Sequence, residues 1–494
     1  MKRSFGILLH ITSLPSRFGC GSLGREAFEF ADFLSKADVA YWQILPITPA
    51  GFSDSPYQCF SAFAGDTIFL DLDALVKVGL LRQAEIDNIC FGTNNEKVNF
   101  ESVRRGRDIL FRIAFSRADD DLLKKVEQFA AENDFWLDDY SLFMAIKRHF
   151  SNKSFLEWDT PYKNREPDAL AYARNEFSRE IIFVKFLQYL FFEQWGVFKE
   201  YLKEKGIRLL GDMPIYVALD SADVWANPSE FLLDQNKSPI VVAGVPPDYF
   251  SPTGQLWGNP IYNWNKMREN GFSWWKNRMS QSQRLFDAVR IDHFRGFESY
   301  FAIPYGDETA EHGSWEKGPC RDFIDMLKNE FSGFEIIAED LGLLTDEVRD
   351  MLRFSGFPGM KVLEFAFDYE PPSDYLPHNY TENCVCYTGT HDNNTLSGWL
   401  TELDGSNMVY MSRYFGLNES EGYLNGILRG GMASVAYLFI AQMQDLLGLG
   451  RDARMNTPGT TSGNWVWRLK SNALTDRLAY NIAGMVRLYG RGLK

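Results

Sequence analysis

The sequence predicts an α/β fold, a (β/α)8 TIM barrel with large, mainly helical insertions between barrel strands. A short apolar run, a loop and a helix-periodic stretch recur along the chain, the pattern of βα units and a parallel sheet. Four of those apolar runs finish on a carboxylate, and the carboxyl ends of barrel strands build one shared mouth. No repeat, low-complexity tract or Pro/Gly-rich linker divides the 494 residues, so residues 1–494 read as a single barrel unit.

The candidate strands are 6–10, 41–47, 208–213, 287–292, 335–339, 361–365 and 385–390, with the eighth expected within 451–456. Two intervals are too long for simple crossovers. Residues 48–206 are expected to form a helix-rich insertion after the second strand, since Phe183, Phe186, Leu187 and Leu190 follow the i, i+3, i+4, i+7 spacing of an apolar helix face. Residues 216–286 are rich in Pro, Gly, Asn and aromatics and are expected to place a loop over the mouth.

The formal net charge of −15 and pI of about 5.0 disfavour nucleic acid and anionic membrane partners and leave a neutral substrate open. The apolar run Ile7-Leu8-Leu9 after Lys2 and Arg3 is too short for a signal-peptide core. No stretch is expected to reach the roughly 18 to 20 apolar residues that span a bilayer. The 6 cysteines show no zinc-like pairing, and Cys384 and Cys386 alternate along a strand where they share a face without facing each other. A cytoplasmic protein with free thiols is the expectation.

The acids at the strand ends carry the chemistry. They close the runs Leu209-Leu210-Gly211-Asp212, Val289-Arg290-Ile291-Asp292, Ile336-Ile337-Ala338-Glu339-Asp340 and Tyr387-Thr388-Gly389-Thr390-His391-Asp392. A charge on a strand covered on both faces is costly unless paired or used. Strand alternation puts Arg290 and Asp292 on one face, where the guanidinium keeps the carboxylate ionised, as a nucleophile must be. Salt bridges and helix caps account for a single strand-end acid. Four such acids, each beside another polar residue, go beyond that, and three convergent carboxylates without a metal signature suggest glycosyl transfer, with one acid attacking, one protonating the leaving oxygen and a third stabilising the ring. Metal-assisted hydrolysis is the competing reading, because His293 and His391 adjoin two of the acids.

At these residues the chain resembles the 4-α-glucanotransferases (amylomaltases, or disproportionating enzymes), relatives of the α-amylases. The likeness is carried by Gly6-Ile7-Leu8-Leu9-His10, Asp54-Ser55-Pro56-Tyr57, Gly211-Asp212-Met213-Pro214, Arg290-Ile291-Asp292-His293-Phe294-Arg295, Ala338-Glu339-Asp340-Leu341, Thr390-His391-Asp392-Asn393, Arg454-Met455-Asn456 and Gly463-Asn464-Trp465, in this order. The resemblance implies Asp292 as nucleophile, Glu339 as general acid/base and Asp392 as transition-state stabiliser. It implies Arg290 as the residue orienting the nucleophile, and Asp212, His293, His391 and Asp340 as groups that bind the donor sugar. Ser55, Tyr57, Gln255, Trp257 and Asn464 fall where the family contacts the glucan chain. It further implies no cofactor and no metal. The implied partners are maltooligosaccharides, amylose or glycogen-derived glucans, with glucose as acceptor.

A retaining mechanism places Asp292 and Glu339 roughly 5 to 5.5 Å apart and needs Glu339 protonated at the outset. Tyr57 and Trp257 lie in polar loops and are expected to stack on sugars, while Tyr249, Phe250 and Trp315 fit loop packing equally well. Two other readings share these residues. An α-glucan hydrolase would differ only in the fate of the intermediate, and a non-catalytic glucan-binding barrel would be expected to lack one of the three acids.

Overall fold

Eight short strands, each flanked by helix, lie parallel in one sheet. They are β1 (Ser4–Leu8), β2 (Tyr41–Gln43), β3 (Arg208–Met213), β4 (Ala288–Ile291), β5 (Glu335–Ala338), β6 (Gly359–Val362), β7 (Cys384–Tyr387) and β8 (Leu438–Gln442). The computed structural model describes residues 2–51, 54–247, 251–342, 344–367 and 373–493. Strand order runs β6-β7-β8-β1-β2-β3-β4-β5, so neighbours in sequence are neighbours in space. The ring is nearly closed between β5 and β6, where the Ala338 N–H donates to the Pro358 carbonyl at 2.9 Å.

These runs become strands because they are apolar on both faces. All of β1, β4, β7 and β8 is buried, which is how a parallel sheet sheathed in helices is built. At the amino-terminal end of the barrel, Glu335 accepts from Tyr437 Oη and Tyr41 Oη, each at 3.0 Å, and pairs with Arg208. One carboxylate thus ties β2, β3 and β5 to the residue that precedes β8.

The eighth strand is a correction. Residues 451–456 form no barrel strand; they begin with a short 3-10 turn, Arg451–Ala453, and run along the mouth. The strand is the apolar run Leu438-Phe439-Ile440-Ala441-Gln442, paired in parallel with β1 and β7.

Between β2 and β3 the described chain is mostly helical. It ends in the 27-residue helix Ser178–Glu204, in which Phe183, Phe186, Phe191, Trp195 and Phe198 are 3% exposed or less. This helix also corrects an expectation, since by length and hydropathy it could cross a membrane. Its apolar face is instead spent inside the fold, where Trp195 Nε1 donates to the Leu285 carbonyl at 3.0 Å. A second, four-stranded antiparallel sheet is built from Gln255–Pro260, Val241–Val245, Ser299–Pro304 and Ser314–Lys317, in that order. Half of it comes from residues between β4 and β5, an excursion that the apolar periodicity did not flag.

Candidate active site

β3 ends in Asp212-Met213, and β4 and β5 are followed at once by Asp292 and by Glu339-Asp340. Parallel register aligns them. Asp212 lies opposite Arg290, and Ile291 lies opposite Ala338. Arg290 is 4% exposed, and its guanidinium joins two acids. Nη1 lies 2.8 and 2.9 Å from the two oxygens of Asp212, and Nη2 lies 2.9 Å from Asp292 Oδ1. The positive charge between these carboxylates is therefore the protein's own. The Asp292 side chain keeps 30% of its surface open at the mouth, whereas that of Asp212 keeps none.

Glu339 is held by the backbone. Its Oε2 accepts from the His293 N–H at 2.6 Å and its Oε1 from the Leu341 N–H at 2.8 Å, which fixes the plane of the carboxyl group. His293 makes this possible from a left-handed conformation (φ 48°, ψ 47°), uncommon for a residue with a side chain and met where function demands it. Burial pushes the Glu339 pKa up to about 7, with Asp292 adding to the rise while Arg290 and the two N–H bonds oppose it. Burial likewise pushes His293 down to about 4, so its ring is neutral near pH 7 and can meet a sugar hydroxyl as donor or acceptor.

Asp392 stands beyond β7 on a turn. Its Oδ1 accepts from Asn456 Nδ2 at 2.6 Å and lies 3.4 Å from His391 Nε2, and its carbonyl accepts from Arg454 Nη2 at 2.5 Å. Tyr57 closes this side of the mouth. Its hydroxyl donates to Asp212 Oδ2 at 2.7 Å, and its ring stacks on His391 with centroids 4.9 Å apart. Trp465 lies 5.8 Å from both rings.

Asp212, Arg290, Asp292, His293, Glu339, His391, Asp392 and Tyr57 thus surround one mouth. Ser55 sits on the Tyr57 turn, its Oγ accepting from the Tyr57 N–H at 3.3 Å. Trp257 meets the His293 ring edge-on at 4.8 Å, and its Nε1 donates to Gln255 Oε1 at 3.1 Å, so both reach the mouth from the second sheet. Two of the expected binding residues also bond within the fold. Asp340 is 7% exposed and accepts from the Met360 N–H at 2.6 Å across the closing seam, where a Cβ on Gly359 would come within 2.5 Å of its carboxylate. Asn464 ties its own loop through Thr457 and Thr460. The Arg295 guanidinium lies over Trp315, 4.1 Å from the centre of the indole ring, and Tyr249 and Phe250 lie outside the described residues.

Asn456, Arg454, Trp465 and His10 are site neighbours that the residue-by-residue assignment left without a role. All four lie in the motifs that carry the resemblance, but placing a barrel strand at 451–456 hid that this segment packs on Asp392. His10 lies in the floor, where burial and the nearby His391 push it down to about 3.

A sequence profile of the 4-alpha-glucanotransferase family, glycoside hydrolase family 77, matches residues 9–475. A 4-alpha-glucanotransferase of Clostridium butyricum is 46% identical over 489 residues, covering 98% of this chain and 100% of its own. One of Streptococcus pneumoniae is 45% identical over 493 residues, covering 99% and 98%. Among solved structures, the amylomaltase from Streptococcus agalactiae in complex with acarbose matches with a TM-score of 0.97 at 42% identity, covering 99% of this chain and 100% of that one.

Proposed function

The chain belongs to the 4-alpha-glucanotransferase family, and we propose that it moves α-1,4-glucan segments to the 4-OH of glucose or another glucan through a covalent glycosyl-aspartate. The observation that carries the mechanism is Arg290 bridging Asp212 and Asp292 beside a Glu339 whose pKa is raised to about 7. One acid sits against a cation and burial favours the proton on the other, the division of labour that a double displacement needs.

In the first half, Asp292 attacks the anomeric carbon while Glu339 gives its proton to the departing glycosidic oxygen, so the leaving chain acquires a 4-OH. Glu339 is then a carboxylate held by the His293 and Leu341 N–H groups. In the second half it takes the proton from the acceptor's O4–H, that oxygen attacks the same carbon, and the bond to Asp292 breaks. Asp392, with its side chain 46% exposed at the mouth, faces the positive charge that develops on the ring. Tyr57 and Trp257 offer aromatic faces to the sugar C–H surfaces. The six free cysteines fit a reducing compartment, and we place the enzyme in the cytoplasm.

Incubation with maltotriose, without added cofactor, tests the reaction. Glucose with a ladder of longer maltooligosaccharides at constant total reducing ends is expected from the parent, and none of it from Asp292→Asn. Rising reducing ends with only shorter products would make the chain a hydrolase on the same acids.

A further inference from the structure

Segment 388–396 carries His391 and Asp392 between two fixed ends. At its start, Thr388 is fully buried and its Oγ1 donates to Asp445 Oδ2 at 2.6 Å. At its end, the N–H of Leu396, also fully buried, donates to Asp445 Oδ1 at 2.7 Å. Asp445 itself is 2% exposed and lies on the short helix Met443–Leu446 that follows β8 directly. The last residue of β8 adds a third tie, since Gln442 Nε2 donates to the Asn394 carbonyl at 3.0 Å. A rigid barrel strand and its next turn therefore grip a loop that belongs to the neighbouring strand.

We infer that Asp445 is a positioning residue for transfer: by holding both ends of segment 388–396 it sets where His391 and Asp392 stand in the mouth. The inference rests on the role proposed for Asp392. A buried carboxyl group is an expensive way to fill space, and an aliphatic side chain would do that at lower cost. Asp445 divides its two oxygens between two points of one loop, which is what a clamp requires and filling does not. There is little slack in the loop, because a Cβ on Gly389 would come within 2.9 Å of Gln442 Nε2 and of Glu364 Oε1. Asp445 touches no reacting atom. Its effect passes through Asp392, whose geometry matters steeply, since a misplacement of about 1 Å at a catalytic group can cost about 10²-fold in rate.

The test measures kcat and KM for Asp445→Ala and Thr388→Val with maltosyl fluoride as donor and glucose as acceptor, an activated donor that keeps slow variants measurable. Thermal midpoints establish which variants are folded, and Thr388→Val decides the matter if Asp445→Ala does not fold. Expected are a fall in kcat of about 10- to 100-fold, KM within about threefold of the parent, and no further fall when Asp445→Ala is added to Asp392→Asn. A folded variant with kcat within about threefold of the parent would overturn the inference. So would an Asp445→Ala loss that multiplies the loss of Asp392→Asn, because the clamp would then act on something else. Parent-like activity in Asp392→Asn alone would sink the role of Asp392 itself, a separate failure that the single variant reveals.

Discussion

Replacing Arg290 by methionine keeps a long side chain in place and removes the guanidinium that Asp212 and Asp292 share. The Arg290 and Asp212 side chains are 5% and 0% exposed, so the change strands a buried carboxylate 2.8 Å from where its partner stood. Breaking a buried ion pair from one side costs about 3–5 kcal/mol. Asp292 is 30% exposed and partly solvated, so its share is the smaller one. Asp212 can escape part of the cost by taking a proton. Burial already raises its pKa and Arg290 is the first force opposing that rise, so in the variant the folded-state pKa climbs further. In the unfolded chain the same group ionises near about 3.9. An acid whose folded pKa lies above its unfolded one leaves stability whole below the unfolded value and drains it as pH rises through the folded one. The thermal midpoint of Arg290→Met should therefore approach the parent's near about pH 4, fall behind as pH rises, and then hold a constant deficit. Transfer from maltotriose should drop by about 10²–10³-fold in kcat/KM, the usual loss of one preorganised charge at a reacting group. Thermal scans from acid to neutral pH, with product ladders on the same samples, measure both effects. A midpoint deficit that does not change with pH, or kcat/KM within about threefold of the parent, would refute the assignment of Arg290 as the shared counter-charge.

With burial pushing the Glu339 carboxyl up to about 7, kcat/KM should be flat in mild acid and fall tenfold per pH unit above about 7 as the proposed acid loses its proton. A pH–rate profile checks this, and an alkaline limb far from 7, or one that survives in Glu339→Gln, contradicts the role. Asn456→Ala removes the 2.6 Å bond to Asp392 Oδ1. A hydrogen bond to a charged group contributes about 1.5–3 kcal/mol, and an acceptor nearly half exposed loses part of that to water, so kcat should fall about fivefold to tenfold with an unchanged thermal midpoint. Steady-state kinetics on maltotriose with a parallel thermal scan would show it.

Four barrel strands were legible because each is a short apolar run closed by an acid, a conjunction that neither core helices nor surface loops produce. Alternation alone put Arg290 and Asp292 on one face, and the guanidinium does bond the carboxylate there. β1, β2 and β6 lack that mark and were read from their apolar runs alone, whereas β8 lacks it too and was missed. Leu438-Phe439-Ile440-Ala441 ends on Gln442, and a brief apolar run without a charged terminus reads equally well as part of a core helix. That gap drew the expected strand to 451–456 and concealed Asn456 as the partner of Asp392. Asp340 illustrates a different limit. Its side chain bonds the Met360 N–H of the facing strand, and which way an acid beside Glu339 turns depends on ring closure. The backbone grip on Glu339 was equally hidden, since no motif encodes a left-handed His293.

The central claim is a glycosyl bond to Asp292, and mass mapping of a trapped intermediate tests it most directly. Glu339→Gln should accept maltosyl fluoride, because fluoride leaves without a proton, and should then stall for want of a base to activate the acceptor. Rapid acid quench, proteolysis and mass spectrometry are expected to find the maltosyl group on the peptide containing Asp292, and to find none when Asp292→Asn is added. Turnover of maltosyl fluoride with no sugar-bearing peptide, or the sugar on any other residue, would contradict the account.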